Sequence, residues 1–302
     1  MNTQEAQHLV TTHLERLFAD PDLWRQWATT LSRFHRYSLQ NTILIALQRP
    51  DATYVAGYKQ WQKLGRWVKK GEKGLTIFAP ILRRAQPDES APTDPPSATD
   101  APAAPPSPSP TVVGFRAVTV FDVSQTDGTP LTIPTPQCLT ATEGAELRNL
   151  LITHVIGVPV QFQSRAQLHD AHGQWDPSTQ TITVADDLAP AHQLKTLLHE
   201  WAHSVAIPDP ATARTRDIAA EELIAETTAL VIASRLGLDT TAYSLPYVGH
   251  WAHGQPEALR TVTTAISQRV QLLWNALEAA ASQHDALAAL ITPSSDPVPV
   301  AS

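Results

Sequence analysis

The sequence is short of cysteine, of charge and of long apolar runs, and each shortage excludes a class of protein. Its one cysteine, Cys138, can close no intrachain disulfide, which excludes a disulfide-stapled secreted scaffold. The residue reads as a small buried hydrophobe rather than a nucleophile. No apolar run approaches the roughly 18 residues of a membrane helix. The stretch Met1 to His8 lacks the basic start and apolar core of a signal peptide. The expectation is a soluble, cytoplasmic protein with no membrane partner. Charged residues make up 17% and hydrophobic ones 42%, globular values at the low end for charge. A chain of 302 residues can bury a sizeable core without help from a metal, and its length suggests about two domains.

What charge there is lies unevenly. Residues 1–84 carry 13 Lys and Arg against 6 Asp and Glu, a net of +7, whereas the rest of the chain nets −14. Five of the six lysines fall between Lys59 and Lys73. Such a split points to one part that meets a polyanion and another with a different task. Residues 85–110 hold nine prolines and no aromatic or large aliphatic side chain, too little apolar surface to offset ordering entropy. They read as a disordered, partly polyproline-like insert within the first domain. Residues 128–140, with Gly128, Pro130, Pro134 and Pro136, read as the interdomain linker.

Apolar periodicity predicts helices over 4–19 and 22–49, with stripes Leu9/His13/Leu17/Phe18 and Leu23/Trp24/Trp27/Leu31/Phe34, and Asp22 as an N-cap. Strands are expected at 53–57, 74–82 and Val112–Val123, around a short helix Tyr58–Leu64. The second half reads as a helix (142–156), a strand (Val158–Gln163), and a hairpin (Gln174–Ala185) turning at Asp176-Pro177-Ser178-Thr179. Helices near 189–206, 215–237 and 257–283 follow, then a frayed end from Thr292.

His199-Glu200-Trp201-Ala202-His203 is an HExxH motif on a predicted helix. Positions i and i+4 share a face, so two imidazoles can bind one Zn2+ with Glu200 beside them, in reach of a water. About 0.02 such matches are expected by chance in this composition. The longer HExxHxxGxxH pattern fails, because Ala206 and Asp209 stand where Gly and His are required. Nineteen residues past His203 comes Glu222, in Glu221-Glu222-Leu223-Ile224-Ala225-Glu226. A third ligand from this second helix gives the gluzincin set of two His and one Glu. Glu222 is the first choice, ahead of Glu226 and Glu221, and Glu226 is also placed to accept the free N–H of a ligand imidazole. Three protein ligands leave an open position, the pattern of a catalytic site, in which Glu200 would move the proton. Tyr243, Tyr247, His250 and His253 are candidate donors to the oxyanion, Tyr247 first among them. The strand Thr181-Ile182-Thr183-Val184 could offer an edge to an extended peptide.

A second constellation, residues 57–74, interleaves Lys59, Lys63, Arg66, Lys69, Lys70 and Lys73 with Tyr58, Trp61 and Trp67. Cations attract phosphates and aromatic faces stack unpaired bases, a combination that favours single strands. The alternative is that Trp61 and Trp67 are core and the lysines a solvated surface. Gly65, Gly71 and Gly74 suggest tight turns.

Three stretches carry a family resemblance: Tyr37-Ser38-Leu39-Gln40-Asn41; Trp61-Gln62-Lys63-Leu64-Gly65-Arg66-Trp67-Val68-Lys69-Lys70-Gly71-Glu72-Lys73-Gly74; and Val120-Phe121-Asp122-Val123-Ser124-Gln125-Thr126. Together they resemble the N-terminal domain of ArdC-type antirestriction proteins, which implies single-stranded DNA binding by residues 1–130. The HExxH and Glu222-Leu223-Ile224-Ala225-Glu226 segments are similar to the ArdC C-terminal domain and to the wider ImmA/IrrE-like zinc peptidases. That similarity implies Glu222 as the zinc-ligating carboxylate. The combined expectation is an α+β chain. Residues 1–130 form a helix-plus-small-sheet DNA-binding domain and 141–290 a gluzincin-like metallopeptidase domain, with a protein substrate possible. The implied role is protection of incoming mobile DNA from restriction. Two alternatives stand beside it: a regulatory metallopeptidase that cleaves a repressor, and a non-enzymatic DNA-coating protein with a structural metal.

Overall fold

The computed structural model describes residues 1–34, 36–83, 111–132, 141–238, 256–291 and 298–299. The insert 85–110, Cys138, and the segment with Tyr243, Tyr247, His250 and His253 lie outside the described residues, as does most of the linker.

Helix α1 (Thr3–Ala19) opens on a capping box in which Asn2 and Glu5 exchange side-chain-to-backbone bonds. It buries Ala6, Val10, Leu14 and Leu17, with His13. Helix α2 (Pro21–Arg33) is capped by Asp20 and not by Asp22. Proline at the first helical position has no N–H to satisfy and a helix-ready φ, so the residue before it becomes the cap. The expected single helix 22–49 is two. The chain leaves the helix at Phe34, and Ser38 caps α3 (Leu39–Gln48) through its hydroxyl.

Strands β1 (Val55–Ala56), β3 (Leu75–Arg83) and β4 (Thr111–Asp122) form an antiparallel sheet in the order β1-β4-β3. Helix α4 (Tyr58–Lys63) leads into β2 (Arg66–Val68), which pairs with β5 (Thr126–Gly128), a ribbon unforeseen in the sequence. Gly128, expected in the linker, belongs to that ribbon, and β6 (Leu131–Thr132) pairs with β10 (Val298–Pro299). The outer edge of β3 is closed by two side-chain amides. Asn41 bonds both backbone groups of Phe78 (2.9 and 2.7 Å), and Gln48 does the same for Thr76 (2.9 and 2.9 Å).

The second half begins with α5 (Ala141–His154). A three-stranded sheet follows, with β7 (Val160–Gln163) parallel to β9 (Thr181–Ala185) and β8 (Gly173–Asp176) antiparallel to it. β9 is therefore the centre of its sheet, and its backbone is already paired on both sides. The peptide edge expected at 181–184 is not there, and β8 is the edge instead. Helices α6 (Pro190–Ala206), α7 (Pro210–Thr215), α8 (Ile218–Arg235), α9 (Pro256–Ala281) and α10 (Asp285–Leu290) complete the α+β fold. Among the described residues no helix is long and apolar enough to cross a membrane.

One buried cluster runs from α1 and α2 through α6, α8 and α9. Trp24 and Trp27 of α2 meet edge to face at 5.0 Å, and Trp24 donates its indole N–H to Thr227 of α8 at 3.2 Å. Arg235 of α8 bonds the Ser32 carbonyl and lies 4.0 Å over the Trp274 ring. A smaller cluster, including Ile45, Val55, Leu75, Ile77 and Val120, sits under the first sheet.

Candidate metal centre and basic face

Helix α6 buries Leu194, Leu197, Leu198 and Trp201 against the core, which turns the His199/His203 face towards α8. Helix α8, capped by Asp217, is apolar nearly all round, so its three carboxylates stand out as polar exceptions on a buried element. They diverge. Glu226 accepts from Nδ1 of His199 at 3.0 Å, and Glu221 from Nδ1 of His203 at 3.2 Å. Glu222 lies between, with an oxygen 3.5 Å from Nε2 of each imidazole.

A carboxylate only accepts, so both Nδ1 atoms carry a hydrogen. The two Nε2 atoms lie 3.0 Å apart and face Glu222; protonated, they donate, and deprotonated, they can turn their lone pairs on one cation. Glu222 Oε2 is 3.5 Å from Nε2 of His199, and Oε1 is 3.5 Å from Nε2 of His203. Tetrahedral ligation with bonds of about 2.1 Å places ligand atoms about 3.4 Å apart. The set His199, His203 and Glu222 could therefore hold a divalent metal ion.

The surrounding charges are ordered in chains. Lys195 contacts Glu226 at 2.6 Å, and Arg269 of α9 grips Glu221 with two N–H groups at 2.6 and 3.2 Å. Burial opposes charge on His199, but bonds to Glu222 and Glu226 outweigh it and raise its pKa to about 10. Hydrogen bonds from the two imidazoles hold Glu222 well below the usual carboxylate range. Burial pushes Glu200 up, against the pull of His199 and His203. Strand β8 rides directly on α6 at Gly173, where a Cβ would meet Thr196 at 2.5 Å and Glu200 at 3.0 Å.

The structure brings Glu222 beside both HExxH imidazoles and places Glu226 on the Nδ1 hydrogen of His199. Glu221, weighed in the sequence as a metal ligand, instead orients His203. Its partner Arg269 went unseen, because a cation 66 residues past His203 on another helix leaves no spacing to read. Gly173 likewise carried no sequence signal.

The basic segment is sorted by burial. Trp61 is fully buried and bonds the Phe121 carbonyl through its indole N–H at 3.0 Å, so it is core and cannot stack a base. Arg66 is also withdrawn, because its guanidinium bonds Thr126 Oγ1, the Thr126 carbonyl and the Thr129 carbonyl. Trp67 and Tyr58 are 56% and 50% exposed, and Lys59, Lys63, Lys70 and Lys73 are exposed with them. Lys69 is exposed but tied to the Ser124 carbonyl and to Asp127. The loop bearing these lysines is pinned by Gln125, whose amide donates to Glu72 and to the Lys73 carbonyl, both at 2.8 Å. Gly65 and Gly71 turn at positive φ.

Residues 6–107 match the family model for the N-terminal domain of anti-restriction factor ArdC. This N-terminal stretch is thus similar to the ArdC N-terminal domain. Two crystal structures of the antirestriction protein ArdC from plasmid R388 share the fold at 20% identity. The Mn(II)-bound one superposes with a TM-score of 0.52 over 90% of this chain and 97% of its own; the metal-free one scores 0.50 over 80% and 85%. An uncharacterized protein of Bacillus anthracis is 24% identical over 273 residues, or 82% of this chain. The chain spans 46% of the length of that relative.

Proposed function

We propose that this protein binds single-stranded DNA through its basic face, protects that DNA from restriction, and carries a zinc metallopeptidase site at His199, His203 and Glu222. The observation that supports the hydrolytic half most strongly is the convergence of the two imidazole Nε2 atoms beside Glu222, with both Nδ1 atoms committed to Glu226 and Glu221. Zinc in that position would supply Lewis acidity towards water and a substrate carbonyl. Glu200 takes the water proton and delivers it to the leaving amine, a task suited to a carboxylate whose pKa burial has raised. Strand β8 keeps its outer edge open among the described residues. It can add an extended peptide across the cleft, with Gly173 of the same strand packed against Glu200.

The nucleic-acid half rests on Trp67 and Tyr58, two exposed aromatic faces in a field of exposed lysines. The test of both halves uses one purified protein. Metal analysis is expected to find about one zinc per chain, and titration to show tighter binding of single strands than of duplex. Glu200→Gln is expected to retain metal and DNA binding and to lose peptide cleavage. A Glu200→Gln protein that still cleaves overturns the catalytic assignment; one that still protects DNA shows that protection does not need hydrolysis.

A further inference from the structure

Three cations stand around the metal centre, and two have a carboxylate of their own: Lys195 has Glu226, and Arg269 has Glu221. Arg216 has none. It lies between α7 and α8, immediately before the Asp217 cap. Its Nε is buried without a hydrogen-bond partner among the described residues. It lines a cleft of about 350 Å³ together with Gln174 of the open β8 edge, His203, Glu200 and Glu222.

Buried guanidinium N–H groups nearly always find an acceptor, and those left without one call for an explanation. The nearby acids do not supply it. Glu222 faces the two imidazoles, Glu221 is held by Arg269, and Glu200 makes no bond to the Nε of Arg216. Among the described residues no acceptor serves this N–H, and the cleft beside it is open to one carried by a ligand. A planar guanidinium fork matches a carboxylate in two parallel bonds.

We infer that Arg216 is the specificity-determining residue of this site and selects peptides that place a carboxylate one or two residues from the bond lying over the metal centre. This rests on the peptidase reading for its setting but not for its test. Binding is measured on the zinc-loaded Glu200→Gln protein, which does not need to turn over. The probes are blocked alanine hexapeptides carrying a single Glu, Gln or Lys at each position in turn, and one all-alanine set with a free or amidated C-terminus. Glu peptides are expected to bind roughly tenfold or more tightly than their Gln counterparts at one position. Arg216→Gln is expected to erase that preference, and Arg216→Lys to keep part of it. If turnover is observed in the Glu200 protein, the preference appears in KM and not in kcat. A preference for the free C-terminus alone assigns the subsite to a terminal carboxylate in place of a side chain. Equal binding of Glu and Gln peptides, or a preference that survives Arg216→Gln, overturns the inference. So does Arg216-dependent binding of an oligonucleotide with no peptide preference. Glu-selective binding without cleavage by the Glu200 protein leaves Arg216 assigned and removes the peptidase reading.

Discussion

Gly173 lies so close to Glu200 that a Cβ added to it would stand 3.0 Å from both Cγ and Oε1 of that glutamate. The same Cβ would stand 2.5 Å from Thr196 Cγ2, a contact real Cβ atoms essentially never show, so Gly173→Ala must move strand β8 or the Thr196 and Glu200 side chains beneath it. Misplacing a catalytic group by a fraction of an ångström costs about tenfold or more in rate. Peptide turnover is expected to fall by that factor with one metal per chain retained. Full kcat in the Gly173→Ala protein would mean that Glu200 is not positioned by β8.

The carboxylates behind the imidazoles have separable roles. Glu226→Gln and Glu221→Gln are each expected to weaken metal affinity about 10- to 100-fold, read by competition with a chelator. They differ in stability. Arg269 is 11% exposed and Lys195 22%, so Glu221→Gln strands the more deeply buried cation. Its cost is expected to approach about 3 kcal/mol, and the thermal midpoint of the metal-free Glu221 variant to fall below that of the Glu226 variant.

Two tryptophans six residues apart in the basic segment make opposite predictions. Trp61→Ala removes a fully buried indole and costs about 3–5 kcal/mol of stability. Trp67→Ala leaves the melting curve in place and weakens single-strand binding by roughly 1–3 kcal/mol. Neutralising Lys70 and Lys73 lowers the slope of affinity against salt by at most about one counterion each. A salt slope unmoved by the double variant removes this face from the binding surface.

His13 sits 8% exposed in a small cavity lined by α1, α2 and α3, with Arg16 alongside and no carboxylate among the residues lining it. Burial, then Arg16, lowers its pKa from 6.5. The unfolded chain therefore takes up a proton at higher pH than the folded one, and stability contributed by neutral His13 is lost as pH falls through and below 6.5. His192, depressed by burial and by His172, acts in the same direction. His13→Leu is expected to flatten the decline of the thermal midpoint between pH 6.5 and 5 without abolishing it.

The parts of this protein legible in its sequence are those written in local spacing. His199 and His203 announce a shared face at i and i+4, and Glu222 and Glu226 follow on one helix. The hairpin of β8 and β9 was marked by Asp176 and Pro177. What depends on tertiary contact was not legible. Whether Trp61 or Trp67 would be the buried one cannot be read from residues that share type and surroundings; the choice is made by the Phe121 carbonyl. The role of β9 as a central strand depends on β7, whose parallel partnership no turn residue signals. The break at Phe34 was masked by uninterrupted apolar periodicity, with only Ser38 to mark the restart.

Trp24 reaches Thr227, the residue after Glu226, so the helix that carries the carboxylates of the metal centre is also a wall for the N-terminal helices. A ligand that holds one wall in its folded arrangement protects everything packed on it. Divalent ion added to the solvent is therefore expected to slow amide hydrogen exchange in α2, a helix that supplies no ligand, and calorimetry to record both halves melting in one heat-absorption peak.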